Sequence, residues 1–465
     1  MLDDEDQGHA ARHDVTEDCE PQPVSIARRR LGCGDVGNGI HWWARVSRLR
    51  SVPSTMKNRC RNKNLPVRGV SQVPCGQYCL DRQRIFRIYA LMSAPWNAQL
   101  TDPARDYQEE GRMIRFGLLG CGRIAKRHAD LLGGNHIERA SLVAVCDNVK
   151  PRADAFAAKF GVPAYDDLDD MLARKDIDAV AVLTPSGMHP QHAIACARAG
   201  KHVVVEKPMA LRLQDADDMI RACDEAGVKL FVVKQNRFNV PVVKAREALD
   251  AGRFGRLILG TVRVRWCRDQ SYYDQDAWRG TWAYDGGVLT NQASHHIDML
   301  EWFFGDVVSV HARATTALVK VETEDTAVAT LKFRNGALGV IEATTAVRPK
   351  DLEGSLSILG EKGTVEIAGF AVNQIRHWNF VDELPSDKVV IEKFSVNPPN
   401  VYGFGHQAYY QHVVDCLLHQ RAALVDGLQG RKSLELISAL YESIETGQEV
   451  ALRFEPRRSK LGVIS

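Results

Sequence analysis

No apolar run in the 465-residue chain approaches the roughly 18 to 20 residues that a helix needs to cross a bilayer, and the first residues lack the apolar core of a secretory signal. These absences exclude a membrane span and make the cytoplasm the expected compartment. A surplus of one charge is also missing: 60 Lys and Arg stand against 58 Asp and Glu, a formal net charge of +2. Bulk electrostatics therefore call for neither a nucleic acid nor an anionic membrane. The 11 cysteines lack the paired spacing of a zinc site, and nothing secretory invites disulfides, so no metal and no crosslinks are expected.

What is present is an ordinary globular composition, 45% hydrophobic and 25% charged, with room for two domains. Residues 1–112 read differently. Arg-rich text broken by Gly and Pro, such as "RRRLGCGDVGNGIHWWARVSRLRSVPSTMKNRCRNKN", sustains neither a strand nor a helix period and carries Cys33 and Cys60. A disordered leader, or text translated upstream of a start at Met113, is expected there on composition. A basic RNA-binding arm is the alternative, and no module signature accompanies the charge.

Regular patterning begins at Met113. "MIRFGLLGCGRIAKRHADLL" reads as a buried strand, a glycine turn and a helix. Gly120, Gly122 and Ala125 form G-x-G-x-x-A around Arg123 and Ile124, a loop that allows a tight turn and lets a pyrophosphate approach the backbone at a helix N-terminus. The next strand, "SLVAVCD", ends in Asp147, placed to accept hydrogen bonds from ribose hydroxyls and to repel a 2′-phosphate. NAD is thereby expected over NADP; a plain strand-end cap is the bland alternative for Asp147. Further strand-helix units continue to residue 235, which predicts a doubly wound parallel sheet over 113–235. Its strand ends carry Thr184, Pro185, Ser186, His189, Glu206, Lys207 and Gln235, expected around the nicotinamide. Lys207 precedes Pro208, which restricts its backbone and allows a cis bond.

From Asn236 to the end the runs become strand-like, with turn residues between them and a hairpin signal at Asn335-Gly336. A second, α+β domain over 236–465 is expected, with a mostly antiparallel open sheet whose free face could pair subunits as a dimer or tetramer. Two helical stretches close it, the last, "GRKSLELISALYESIETG", expected to be surface packing.

Inside this half lies "DGGVLTNQASHHID", residues 285–298. At helical spacing Asn291 and His295 share one face, Asp298 continues it, and His296 points about 100° away. Oxidising an alcohol requires a base for the hydroxyl proton, and an imidazole suits that task near neutrality. Asn291 can orient His295 or meet the substrate but cannot carry a proton; His295 and Lys207 share the acid/base work, and either can be the base. Zinc on His295, His296 and Asp298 would lack further ligands. Just upstream, Arg265, Arg268, Tyr272, Tyr273, Trp278 and Arg279 could meet an anionic, ring-bearing ligand, with Asn236 also on the substrate side. Solvated arginines are the bland reading.

Taken together, "GLLGCGRIAKRH", "TPSGMH", "EKP", "WRGTW" and "DGGVLTNQASHHID" resemble the Gfo/Idh/MocA family of nucleotide-dependent sugar oxidoreductases, from about residue 113 to the end. The resemblance implies a catalytic lysine at Lys207, the family's histidine at His295, Asn291 in place of its usual aspartate, and Trp278 and Arg279 against the cofactor. "KQNRFN", "EDTAV", "KDLEGSLSILGEKGTV" and "HWNF" further resemble the branch that oxidises UDP-N-acetylglucosaminuronic acid at its C3 hydroxyl for bacterial surface-polysaccharide synthesis. An inositol or simple-sugar dehydrogenase and a non-catalytic NAD-sensing regulator are the alternatives on the same scaffold.

Overall fold

The computed structural model describes residues 111–395, 404–452 and 461. The expected leader falls, but for its last two residues, outside them. Six short strands open the described chain: β1 (Ile114–Leu119), β2 (Ala140–Cys146), β3 (Ala164–Tyr165), β4 (Ala179–Val182), β5 (His202–Val205) and β6 (Leu230–Val232). They pair in parallel in the order β3-β2-β1-β4-β5-β6. Helices α1 (Ala125–Gly133), α2 (Lys150–Phe160), α3 (Leu168–Leu172), α4 (His189–Arg198) and α5 (Leu213–Glu225) alternate with them. The inner strands are nearly unbroken apolar runs because a parallel sheet is buried on both faces: all four residues of β4 are buried. Chain order reverses between β1 and β4, where Leu119 pairs with Val182, and the crevice outside those strand ends is where such sheets bind ligands.

After α6 (Val240–Asp250) come β7 (Leu257–Arg265), α7 (Gln270–Tyr273), α8 (Ser294–Phe304), β8 (Val307–Thr315), β9 (Thr326–Phe333), β10 (Leu338–Thr344), β11 (Glu353–Gly360), β12 (Gly363–Ala368) and β13 (Gln374–Phe380). The chain then forms α9 (Asp387–Phe394), α10 (Gly405–Leu418), α11 (Gly427–Thr446) and β14 (Val450–Ala451). Its eight-stranded sheet runs β13-β12-β11-β7-β10-β9-β8-β14, antiparallel except for the β7–β10 pair. Helix α8 lies on one face, and Gly260 of β7 leaves room there for Leu300 and Phe304. Along β7, Val262 and Val264 face that helix while Arg263 and Arg265 alternate to the other side.

The two terminal helices depart from expectation. Tyr409, Tyr410, Val413 and Val414 of α10 pack into the first domain's core beside Phe116 and Leu118. On α11, Leu434 joins the core under β4 and β5, whereas Leu436, Ile437 and Leu440 join that of the second sheet. Far from surface packing, α11 binds the two cores together.

Candidate functional site

The glycine loop is shaped by its neighbours. Gly120 adopts φ +93°, and a Cβ there would stand 2.9 Å from the Leu183 carbonyl group, so only glycine lets β1 turn this closely past the end of β4. Around Gly122 no atom lies within 4 Å of where a Cβ would be, which leaves the loop open on that side. Helix α1 begins with no side-chain cap and no acid in its first turn, so its free N–H groups and positive dipole end face the opening. Asp147 accepts hydrogen bonds from Cys121 N at 2.7 Å and Val149 N at 2.8 Å. It thus braces the loop, and each carboxylate oxygen keeps a further lone pair for a ribose hydroxyl. The Oε1 atom of Gln235 is buried without a hydrogen-bond partner among the described residues, on the turn that follows β6. An open, uncapped cradle with an acid at its side, and an unmatched amide oxygen at the end of another strand of the same sheet, fit a dinucleotide.

Across from this loop, the 285–298 stretch is not one helix. Val288–Gln292 forms a wide π turn, with Ala293 N donating to Val288 O, and α8 starts only at Ser294. Such turns recur at functional sites because they re-aim side chains. Lys207, whose bond to Pro208 is cis, sends its ammonium 84 residues along the chain to this turn: Nζ donates to the main-chain oxygen of Asn291 at 2.6 Å, with Asn291 Oδ1 at 3.4 Å. Burial pushes Lys207 below the ordinary lysine value, opposed by Glu206 and Asp285. His295 is buried, its Nδ1 has no hydrogen-bond partner among the described residues, and burial followed by the Lys207 charge holds it well below the usual histidine range. The imidazole is therefore neutral and, in this surrounding, only a weak base.

Arg279, whose charge also lowers the Lys207 pKa, belongs to a cationic cluster. The guanidinium carbons of Arg279, Arg268 and Arg123 lie 4.8, 5.5 and 5.9 Å from the ring centre of Tyr272. Arg279 also lies 4.7 Å from the Trp278 ring and donates to the Tyr272 hydroxyl at 3.0 Å. Asp276 and Asp351 each answer one arginine. Since Arg123 belongs to the glycine loop and the others to the second half, the cluster spans the opening.

Three expectations are corrected. Arg265, expected on the substrate side, is already engaged within the second sheet: it lies on the face turned away from α8, and its guanidinium forks onto Glu342 at 2.6 and 2.7 Å and reaches Glu353 at 3.2 Å. Glu206, expected beside the nicotinamide, turns its carboxylate inward. It is buried, with Oε1 2.9 Å from His128 Nε2 and Oε2 accepting from Lys207 N at 2.9 Å. Burial is the largest single influence and would raise its pKa, but His128, His406 and Lys207 together outweigh it and hold it down to about 2. His189 is also enclosed, its ring nitrogens 2.8 Å from the carbonyl oxygens of Pro208 and Thr184, so it ties two strand ends together. Ser186 is buried on the same turn, Asn236 follows Gln235 inside the protein, and the Thr184 hydroxyl lies 2.9 Å from His192 Nδ1. Asp298 belongs to a buried ion pair with Arg237, at 2.7 and 2.8 Å.

Sequence reasoning missed two supports. Asp285, six residues before Asn291, accepts a very short hydrogen bond from Asn291 Nδ2 and another from Gly280 N at 2.7 Å. An acid directly before a Gly-Gly pair was the available signal. Tyr441 of α11 bonds Thr290 Oγ1 at 2.9 Å and Glu324 at 2.8 Å, and nothing in a surface-like helix pattern announces that.

Fold and site together define a nucleotide-dependent oxidoreductase in which a lysine from the end of one sheet meets the turn that leads into the second domain's histidine-bearing helix. The chain belongs to the Gfo/Idh/MocA oxidoreductase family: residues 114–234 match its NAD-binding Rossmann fold and residues 246–452 its C-terminal alpha/beta domain. Among solved structures it is similar to the WlbA dehydrogenase from Bordetella pertussis in complex with NADH and UDP-GlcNAcA, at 47% identity and a TM-score of 0.71, over 74% of this chain and 99% of that one. Myo-inositol 2-dehydrogenase of Thermotoga maritima is 34% identical over 54% of this chain and 74% of its own length. The scyllo-inositol 2-dehydrogenase (NAD(+)) of Bacillus subtilis is 26% identical over 73% of this chain and 96% of its own. Among the described residues no helix is long and apolar enough to cross a membrane.

Proposed function

We propose that the protein oxidises the C3 hydroxyl of UDP-N-acetylglucosaminuronic acid to the 3-keto nucleotide sugar, with NAD as oxidant, in bacterial surface-polysaccharide synthesis. The observation that carries the chemistry is the Lys207 ammonium held 2.6 Å from the backbone oxygen of Asn291, beside the neutral His295. Gly120, Gly122, Arg123, Ile124, Asp147 and Gln235 would hold NAD, and bound NAD supplies the hydride acceptor. Lys207 keeps ammonium protons beyond the one directed at residue 291, and donating one to the sugar hydroxyl lowers the pKa of that hydroxyl. A weak base then suffices, and His295 takes the proton. Asn291 stays neutral and orients both.

The substrate class rests on the likeness to WlbA and on the arginines around Tyr272. A UDP-uronic acid brings a diphosphate and a carboxylate, and three guanidiniums answered by two nearby carboxylates leave a local excess of positive charge for them. The cytoplasm is the compartment that suits a reaction on such a substrate with NAD. Val328 and Leu338, exposed on the second sheet, offer a surface for a dimer or tetramer. The inositol relatives support a second reading, a free-polyol dehydrogenase, which has no use for the cationic cluster. NADH absorbance separates the two: turnover with UDP-N-acetylglucosaminuronic acid and none with myo- or scyllo-inositol is expected, and the reverse pattern would replace the first reading by the second.

A further inference from the structure

The family resemblance implies an acid one turn before His295, and this chain has an amide there. The acid reappears from another direction. Gly286 adopts φ +80°, and a Cβ on Gly287 would overlap the Glu324 carboxylate, so this pair lets the backbone double back until residue 285 meets residue 291. Asp285 then accepts from Asn291 Nδ2 with one oxygen and from Gly280 N with the other. Its side chain is 1% exposed, and no ion pair to it is formed among the described residues. An enclosed carboxylate without a touching cation is expensive, and here burial raises its pKa to about 6.

The amide explains why the carboxylate can nevertheless serve the site. Lys207 needs an acceptor and Asp285 needs a donor, and a neutral amide offers one of each. With Nδ2 directed at Asp285, the Oδ1 of Asn291 necessarily turns toward Lys207, as observed at 3.4 Å. An aspartate at 291 would instead set two carboxylates against each other, and one would have to hold a proton. Asn291 is thus the residue type that an acid at 285 demands.

Resting on the reading of Lys207 as the group that polarises the substrate hydroxyl, we propose that Asp285 is the site's positioning carboxylate, acting on the Lys207 ammonium through the Asn291 amide. It fixes which way the amide faces and supplies the counter-charge that keeps the ammonium protonated. The acid absent from 291 has been moved one hydrogen bond outward.

An exchange of the two groups tests this. Asp285→Asn sets amide against amide and Asn291→Asp sets acid against acid, whereas Asp285→Asn with Asn291→Asp restores one of each in reversed order. The single variants are expected to lose kcat on the order of 10- to 100-fold with KM for NAD unchanged, as befits misdirection of a reacting group. The exchange is expected to recover most of that loss. A second measurement needs no substrate: the pH midpoint of Lys207 acetylation, read on its own peptide by mass spectrometry. Around Lys207 the charged or titratable neighbours are Glu206, Asp285, Arg279, His295 and Lys234. Only Asp285 among them changes in the series, so the midpoint should fall in Asp285→Asn and return upward in the exchange. Wild-type kcat and midpoint in Asp285→Asn, or an exchange no better than the worse single variant in both measurements, would overturn the proposal. If Asp285→Asn does not fold, Asn291→Asp against the exchange carries the same comparison. Wild-type protein inert toward every UDP-sugar would sink the substrate reading alone, because the acetylation profile would still decide the role of Asp285.

Discussion

The stretch 285–298 begins and ends with a fully buried aspartate, and the two ends behave oppositely. Asp298 is gripped by the Arg237 fork at 2.7 and 2.8 Å, with Lys234 at 3.8 Å, and these cations outweigh burial to hold its pKa low. Asp285 touches no cation directly and reaches Lys207 only through Asn291, so burial dominates and lifts it to about 6. Equal burial therefore yields a locked charge at one end and a responsive one at the other. Direct contact with a cation is what separates a residue serving the fold from one placed to serve the chemistry.

That contrast can be broken most severely at Lys207. Replacing it by Ala is expected to lower kcat/KM by about 10³-fold, within the range for loss of an acid/base group. The unfolding free energy should change by less than ~1 kcal/mol, because Asp285 can take up a proton once its distant cation is gone. Steady-state kinetics beside urea melts read both; a large stability loss would mean that Lys207 is a structural ion. The mirror experiment is Asp298→Asn, which strands the Arg237 guanidinium in the core. An isolated half of a buried pair costs about 3–5 kcal/mol, so the urea midpoint should drop strongly, while activity per folded molecule stays nearly wild type.

The smallest effect is a difference in pH dependence. Asp298, with its folded pKa below the unfolded value, contributes stability that is present above about pH 4 and lost as pH falls through the folded value. Asp285 has the opposite sign. Its folded pKa, about 6, lies above the unfolded one, so the folded state binds the extra proton between about pH 4 and 6 and loses stability as pH rises through that window. Unfolding free energies of wild type and Asp285→Asn from pH 4 to 7 should converge toward the acid end and separate above pH 6, with the variant gaining relative stability. Parallel curves would show that Asp285 keeps an ordinary pKa.

The first sheet was legible because its signals are local. Buried β1, the Gly120 turn and Asp147 at the end of β2 each follow from a short run of residues whose backbone demands leave few alternatives. Lys207 and His295 stand out in the sequence for a related reason: an amine and an imidazole carry their chemistry in the side chain, whatever surrounds them. The errors fall where a side chain's partner lies far along the chain. Arg265 reads as a ligand group until β10 and β11 bring Glu342 and Glu353 beside it, 77 and 88 residues away. Glu206 reads as a cofactor contact until His128 meets it from α1, 78 residues away. Helix α11 reads as surface until both sheets close on it.

Local order of residues was enough to determine that this chain builds a dinucleotide-binding sheet, then a mostly antiparallel one, and carries a lysine and a histidine fit for alcohol oxidation. Backbone periodicity and side-chain chemistry are short-range properties. Which buried carboxylates touch a cation and which do not was decided only by tertiary structure. A charge takes its pKa and its direction from whatever packs around it: at Glu206 and Asp298 those neighbours arrive from remote parts of the chain, as does the Lys207 that Asp285 reaches through Asn291.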